Sequence, residues 1–206
     1  MTQIIDRAAW PRRELFEFES RMSQPFFSVA FKQDVTRLYQ FTKENRLSFY
    51  YSLVYLCTQA VNSVEAFRYG LQGEDLVLYD RRIPSFTDLH PGSEHFHIVT
   101  MPCEGSVQDF CRAARERSRS QTTLLSGEDS QDLIFFSCLP WVELTAATNN
   151  RDFDPGDSIP RIIWGKYAGD QGRKVLHMVL ELNHRFVDGL HVGRFYQALS
   201  ALIEAL

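Results

Sequence analysis

The stretch LNHRFVDG, residues 182–189, carries the side chains best suited to chemistry: His184, with Asp188 and Gly189 four and five positions later. An imidazole whose ordinary pKa lies near 6.5 keeps a usable neutral fraction at pH 7 and can act as a general base. Three readings of the stretch compete. In the first, His184 closes a strand and Asp188 only caps the helix that follows. In the second, His184 and Asp188 share a metal ion, with His191 or the His90, His95 and His97 group as further ligands, although no recognised ligand spacing is present. In the third, His184 abstracts a proton. The sequence contains no GxSxG elbow, Walker loop or GxGxxG fingerprint, so a serine-nucleophile hydrolase and a P-loop enzyme lose support.

The elements around the histidine determine where it is delivered. Leu176, Met178, Leu180 and Leu182 share one face of a strand by the two-residue period, and His184 continues that face. The histidine therefore lies at the tip of an apolar stripe. The run starting at RIIW and this strand flank Ala168-Gly169-Asp170-Gln171-Gly172, a turn-forming cluster that predicts a hairpin. Downstream, Val192, Phe195, Leu199, Leu202 and Leu206 recur at helical intervals, predicting a final helix that packs back on the sheet.

Earlier in the chain, FFSVAFKQD and FHIVTMP read as strands, and LQGEDLVLYD as a turn leading into a strand. Asp34 is placed to cap a helix over VTRLYQFTKEN, and Ser48 opens a helix, FYYSLVYLCTQAVNSV, that is apolar almost all round and so belongs inside. SVQDFCRAARERSRSQ is amphipathic, and its basic end reads as a solvated face favoured by the helix dipole. DLIFFSCLPWVEL is strand-like, with Pro140 suggesting an edge or an interruption. Strands and helices in this order predict an α/β fold, an α+β two-layer sandwich in which a mixed β-sheet is covered by helices. No repeat and no Gly/Ser/Pro linker divides the chain, so residues 1–206 read as one domain.

Composition narrows the partners. The net charge is −4 and no basic stripe occurs, which argues against nucleic acid. The four cysteines lack CxxC spacing and sit in apolar or helical surroundings, as buried reduced thiols do. The first residues lack the apolar core of a signal peptide, and no run approaches about twenty apolar residues. A soluble, cytoplasmic protein without a membrane partner is the expectation.

HRFVDG matches the HxxxDG motif of the chloramphenicol acetyltransferases, which are related to the acyltransferase domains of 2-oxo acid dehydrogenase complexes. WPRRELFEF (residues 10–18) resembles that family's N-terminal segment, FYYSLVYLCTQAVN its early buried helix, and SCLPW (residues 137–141) its serine-bearing strand; DGLHVGRF continues the likeness. The resemblance spans essentially the whole chain. It implies transfer of an acetyl group from acetyl-CoA, as co-substrate, to an acceptor hydroxyl, with no covalent acyl-enzyme and no metal. His184 would be the general base and Ser137 the donor to the tetrahedral oxyanion. Asp188 would pair with Arg12 and hold the turn, Gly189 would permit that turn, and the tautomer of His184 would be fixed by its own backbone carbonyl. The resemblance further implies a homotrimer with active sites between subunits, CoA reaching the histidine through a tunnel opposite the acceptor.

Three departures lie on the acceptor side. Asn183 stands where the family usually has a second histidine, Glu19 where a tyrosine follows Phe18, and Ile163 where a threonine orders a water. Phe18 and Phe96 read as apolar walls of the pocket or, equally, as plain core. These departures predict that acetyl-CoA chemistry survives while chloramphenicol itself is a poor substrate. The competing readings are a non-catalytic small-molecule-binding homologue, an acyltransferase with another acceptor, and a metal-dependent hydrolase built on His184 and Asp188.

Overall fold

The structure, a computed structural model, describes residues 2–126, 130–152 and 154–206. Its centre is a mixed sheet in the order β2 (Phe26–Asp34), β10 (Arg173–Asn183), β8 (Arg161–Gly165), β7 (Leu133–Leu139), β5 (Ile83–Leu89) and β6 (Phe96–Thr100). A short β9 (Ala168–Asp170) also pairs with β10. β10 is antiparallel to both β2 and β8, whereas β7 runs parallel to β8 and β5. A second, three-stranded sheet joins β1 (Gln3–Ile4), β4 (Asp75–Leu78) and β3 (Tyr69–Gln72). The helices are α1 (Arg13–Glu19), α2 (Thr36–Glu44), α3 (Phe49–Ser63), α4 (Val107–Ser120) and α5 (Gly189–Glu204).

The alternation expected of β10 places Leu176, Met178, Leu180 and Leu182 in one buried cluster with Leu53, Val54 and Cys57 of α3 and Phe195 and Leu199 of α5. The result is the helix-on-sheet sandwich that the pattern of elements called for. α3 is buried along most of its length, and Ser48 caps it by accepting from the Tyr51 amide at 3.3 Å.

Three local expectations change. α2 begins at Thr36 with Val35 as its N-cap; Asp34 instead accepts from the Thr36 amide and hydroxyl at 2.9 and 2.6 Å. Of the two readings of Pro140, interruption holds and edge does not: β7 lies between β8 and β5 and stops at Leu139, one residue before the ring that cannot donate to the ladder. The hairpin turn is confined to Gln171 and Gly172, at φ 48° and 83°, because Ala168–Asp170 is already strand. All four cysteines are free, Cys57, Cys103 and Cys111 buried and Cys138 half-buried.

Candidate active site

β10 ends at Asn183 and the chain turns through His184, Arg185, Phe186 and Val187 into α5. The amides of Phe186 and Val187 both donate to the Asn183 carbonyl at 3.1 Å, which closes the turn. Closure brings the Val187 carbonyl 3.0 Å from His184 Nδ1. A carbonyl only accepts, so Nδ1 carries the proton and Nε2 presents a lone pair. No described residue occupies Nε2. The partner that fixes the tautomer is thus the carbonyl of Val187, three residues on, rather than the histidine's own; the tight turn puts it within reach. Phe27, across the β2–β10 ladder, packs its ring 4.5 Å from the imidazole, and the His184 amide donates to Pro25 at 2.7 Å. The ring is half-buried, with Nδ1 on the Val187 carbonyl and the Phe27 ring beside it.

Behind the turn, Arg12 Nη1 lies 2.8 Å from Asp188 Oδ2. Asp188 also serves as N-cap of α5, accepting from the Leu190 amide at 3.1 Å through Oδ1. The structural reading of this carboxylate and the clamp reading are therefore both realised, one oxygen each. Burial raises the Asp188 pKa, but the Arg12 hydrogen bond, His191, the Arg12 charge and the Leu190 amide together outweigh it and hold the carboxyl below its usual range. His191 Nδ1 accepts from the Asp188 amide at 3.1 Å. Burial lowers the His191 pKa, and the Arg12 and Arg194 charges add to that against the pull of Asp188, a direction that suits the acceptor role of Nδ1. His184 and Asp188 each have other partners and do not face a shared ion. Among the described residues no group of three His, Cys, Asp or Glu side chains is arranged to hold a metal.

Gly189 corrects its expectation. It is the first residue of α5, its φ is not positive, and a Cβ there would meet open space, so no steric demand of the turn requires glycine.

Ser137 lies elsewhere on the sheet. Its register partner is Ile163, which in turn pairs with Val179 of β10. His184 is five residues beyond Val179, so the two side chains are separated by about 17 Å along the strand and about 10 Å across two strand spacings. Within one chain they do not meet. Ser137 opens instead on a cleft of about 1010 Å³, shared with Phe96, Phe135, Cys138, Trp141 and Arg161. Its hydroxyl bonds to no described residue and is free to donate.

The four expected acceptor-wall residues are likewise divided. Phe96, 54% exposed, lines that cleft. Phe18 and Glu19 lie at the end of α1, outside it, with Phe18 exposed. Ile163 is buried beside Ser137. Asn183 is buried too, donating to the Asp157 carbonyl at 2.8 Å and accepting from the Arg185 amide at 3.0 Å.

Sequence reading missed an ionic network under the cleft. Arg161 is bidentate on Asp157, at 2.8 and 3.2 Å. Arg151 reaches Glu181 at 3.2 Å and stacks its guanidinium 3.5 Å over Phe26. The signal was a glutamate inside the otherwise apolar VLELN, since a buried charge requires a partner. A second network joins the hydroxyls of Tyr51 and Ser118 to Asp88, with His97 Nε2 3.0 Å from Ser118 and stacked 4.2 Å from His90.

An imidazole with an unbonded Nε2, backed by an ion pair, and a separate cleft holding an unbonded serine suit group-transfer chemistry. Comparison with known proteins agrees. The family model described as chloramphenicol acetyltransferase matches residues 1–200, and the chain belongs to that family of acyltransferases. It is 30% identical to chloramphenicol acetyltransferase 3 of Escherichia coli over 205 residues, covering 98% of this chain and 96% of that protein. It is 26% identical to the chloramphenicol acetyltransferase of Bacillus pumilus, covering 94% and 90%. A solved chloramphenicol acetyltransferase superposes with a TM-score of 0.88 at 24% identity, covering 98% of this chain and all of that one. The dihydrolipoamide acetyltransferase of Azotobacter vinelandii shares the fold at TM-score 0.65 and 18% identity, covering 92% and 85%.

Proposed function

We propose that this chain transfers acetyl from acetyl-CoA to a hydroxyl of chloramphenicol or a related small alcohol. His184 Nε2 takes the hydroxyl proton as the oxygen attacks the thioester carbonyl. Ser137 donates to the oxyanion of the tetrahedral intermediate, and collapse expels CoA thiolate, which recovers the proton from the imidazolium. A positioned base contributes about 10²–10⁴-fold to such a step, and one oxyanion donor about 3 kcal/mol. The observation that carries this reading is the Nδ1 bond to the Val187 carbonyl, which puts the lone pair of the neutral tautomer on Nε2, where no described residue bonds to it.

The distance between His184 and Ser137 supports a site completed by a second copy, in a homotrimer whose interfaces each combine the histidine of one chain with the cleft of its neighbour. Direct acyl transfer by this machinery uses no metal. Four free thiols and a CoA substrate suit the cytoplasm, where such turnover would inactivate the drug. Glu19 and Ile163 bear on the rate with chloramphenicol rather than on the chemistry. The test is release of CoA thiol from acetyl-CoA with chloramphenicol and a panel of alcohols and amines, for wild type and His184→Ala. Loss of at least a hundredfold in kcat with the fold intact is expected; full activity in the alanine variant would remove His184 as the base.

A further inference from the structure

The basic residues of α4 divide into two kinds. Arg112 pairs with Asp109, and Arg117 donates to the Ser126 carbonyl at 3.0 Å. Arg115 and Arg119 are one helical turn apart, both line the cleft that holds Ser137, and neither makes an ion pair or hydrogen bond with a described residue. Ser118 sits between them and donates to Asp88 at 2.7 Å, which pins this stretch of helix to the cleft wall. Of the other charges in the lining, Arg161 is neutralised by Asp157, and Asp88 also takes the Tyr51 hydroxyl and the Leu89 amide. Glu94 is the remaining acid. The lining thus holds three arginines and two acids, a positive excess in a chain whose net charge is −4.

The cleft also presents apolar surface. Leu89, Phe96 and Trp141 are exposed large apolar side chains, and all three line it. Such a wall takes a hydrophobic body. At the Ser137 end the acceptor hydroxyl meets the thioester. From Ser137, one strand spacing leads to β5 and the Asp88–Ser118 bond leads on to α4, so the two guanidinium groups lie roughly 10–15 Å away. A neutral acceptor would leave both without a counter-charge. A carboxylate or other oxyanion matches their fork geometry and bonds to it with charge-assisted hydrogen bonds. Resting on the acetyl-transfer reading above, we propose that the preferred acceptor is an alcohol with an apolar body and an anionic group remote from its hydroxyl, and that Arg115 and Arg119 select it over neutral alcohols of the same shape.

The probes are a hydroxymethyl-biphenylcarboxylate, its two groups at opposite ends of the rigid ring pair, and the corresponding carboxamide, alike in shape but uncharged. Calorimetry on wild type and Arg115→Gln/Arg119→Gln needs no turnover. Wild type should bind the carboxylate about tenfold tighter than the carboxamide, and added salt should weaken that preference. The double variant should bind both alike, with the carboxamide's Kd as in wild type. In steady-state transfer from acetyl-CoA, the double substitution should raise KM for the carboxylate by a similar factor and leave KM for acetyl-CoA as it was. Absence of a carboxylate preference in wild type, or a preference that survives the double substitution, overturns the proposal. So does an equal loss for both probes, which would mean a disturbed cleft, or a rise confined to KM for acetyl-CoA, which would assign the arginines to the donor. Carboxylate binding through these arginines with no transfer to any alcohol would sink the catalytic reading and leave the anion subsite standing.

Discussion

Replacing Asp188 with alanine removes two interactions made by one side chain. The Arg12 contact of 2.8 Å joins side chains 17% and 29% exposed, between a surface pair worth under about 1 kcal/mol and a buried one whose truncation costs about 3–5. About 2 kcal/mol is the resulting share, partly because Arg12 Nε and Nη2 are already buried without partners and Nη1 would join them. Loss of the Leu190 cap adds about 1 kcal/mol. The total of about 3 kcal/mol corresponds to about 6–12 °C in Tm for a chain of this length. Urea unfolding of wild type, Asp188→Ala, Arg12→Met and the double variant closes a cycle, and a coupling near 2 kcal/mol is expected. Because the same turn carries the Val187 carbonyl, kcat should fall about tenfold or more through a displaced imidazole. A coupling indistinguishable from zero, or a kcat untouched while stability drops, would show that the ion pair does not position the base.

The same carboxyl gives a pH signature: its folded pKa is depressed, so its contribution is complete above the unfolded value of about 3.9 and disappears as pH falls through the folded value. The stability gap between wild type and Asp188→Asn should accordingly close on acidification below about pH 4 in urea titrations; a gap that persists at pH 2 contradicts it. His184→Ala and Ser137→Ala chains, each inactive, should regain about a quarter of wild-type activity when co-assembled at equal amounts, since every mixed cyclic trimer contains one interface with both residues. No recovery would show that Ser137 does not complete the site of His184 across an interface. Gly165→Ala should cost about 1–3 kcal/mol in thermal or urea unfolding, because its Cβ would meet the Val142 carbonyl at 2.6 Å and the Leu144 amide at 2.7 Å, both backbone; wild-type stability would show that the 142–144 segment yields freely.

Much of the fold was legible because periodicity reports burial. The even positions of β10 and the spacing of Val192, Phe195 and Leu199 led straight to the shared core. Local chemistry was less legible. Gly189 read as the residue that permits the turn because glycine often is one, yet only its φ could show otherwise. Pro140 suggested an edge or an interruption because a proline cannot donate, and only the strand order decides for interruption. At the site, the HxxxDG pattern singled out His184 and Asp188, but the Val187 carbonyl is backbone and leaves no mark in residue type. The separation of Ser137 from His184 is a property of strand register, which a linear pattern does not encode. Arg115 and Arg119 were indistinguishable from their neighbours Arg112 and Arg117 until the helix was seen against the cleft.

His184 and the Arg12–Asp188 pair behind it occupy one corner of the molecule, at the start of α1, the end of β10 and the start of α5, whereas the cleft occupies another, built from β5, β6, β7 and α4. The two corners share the sheet but no side chain. Within one chain, a substitution in the cleft can therefore reach the imidazole only through the backbone of the shared sheet, so the two regions are free to vary separately.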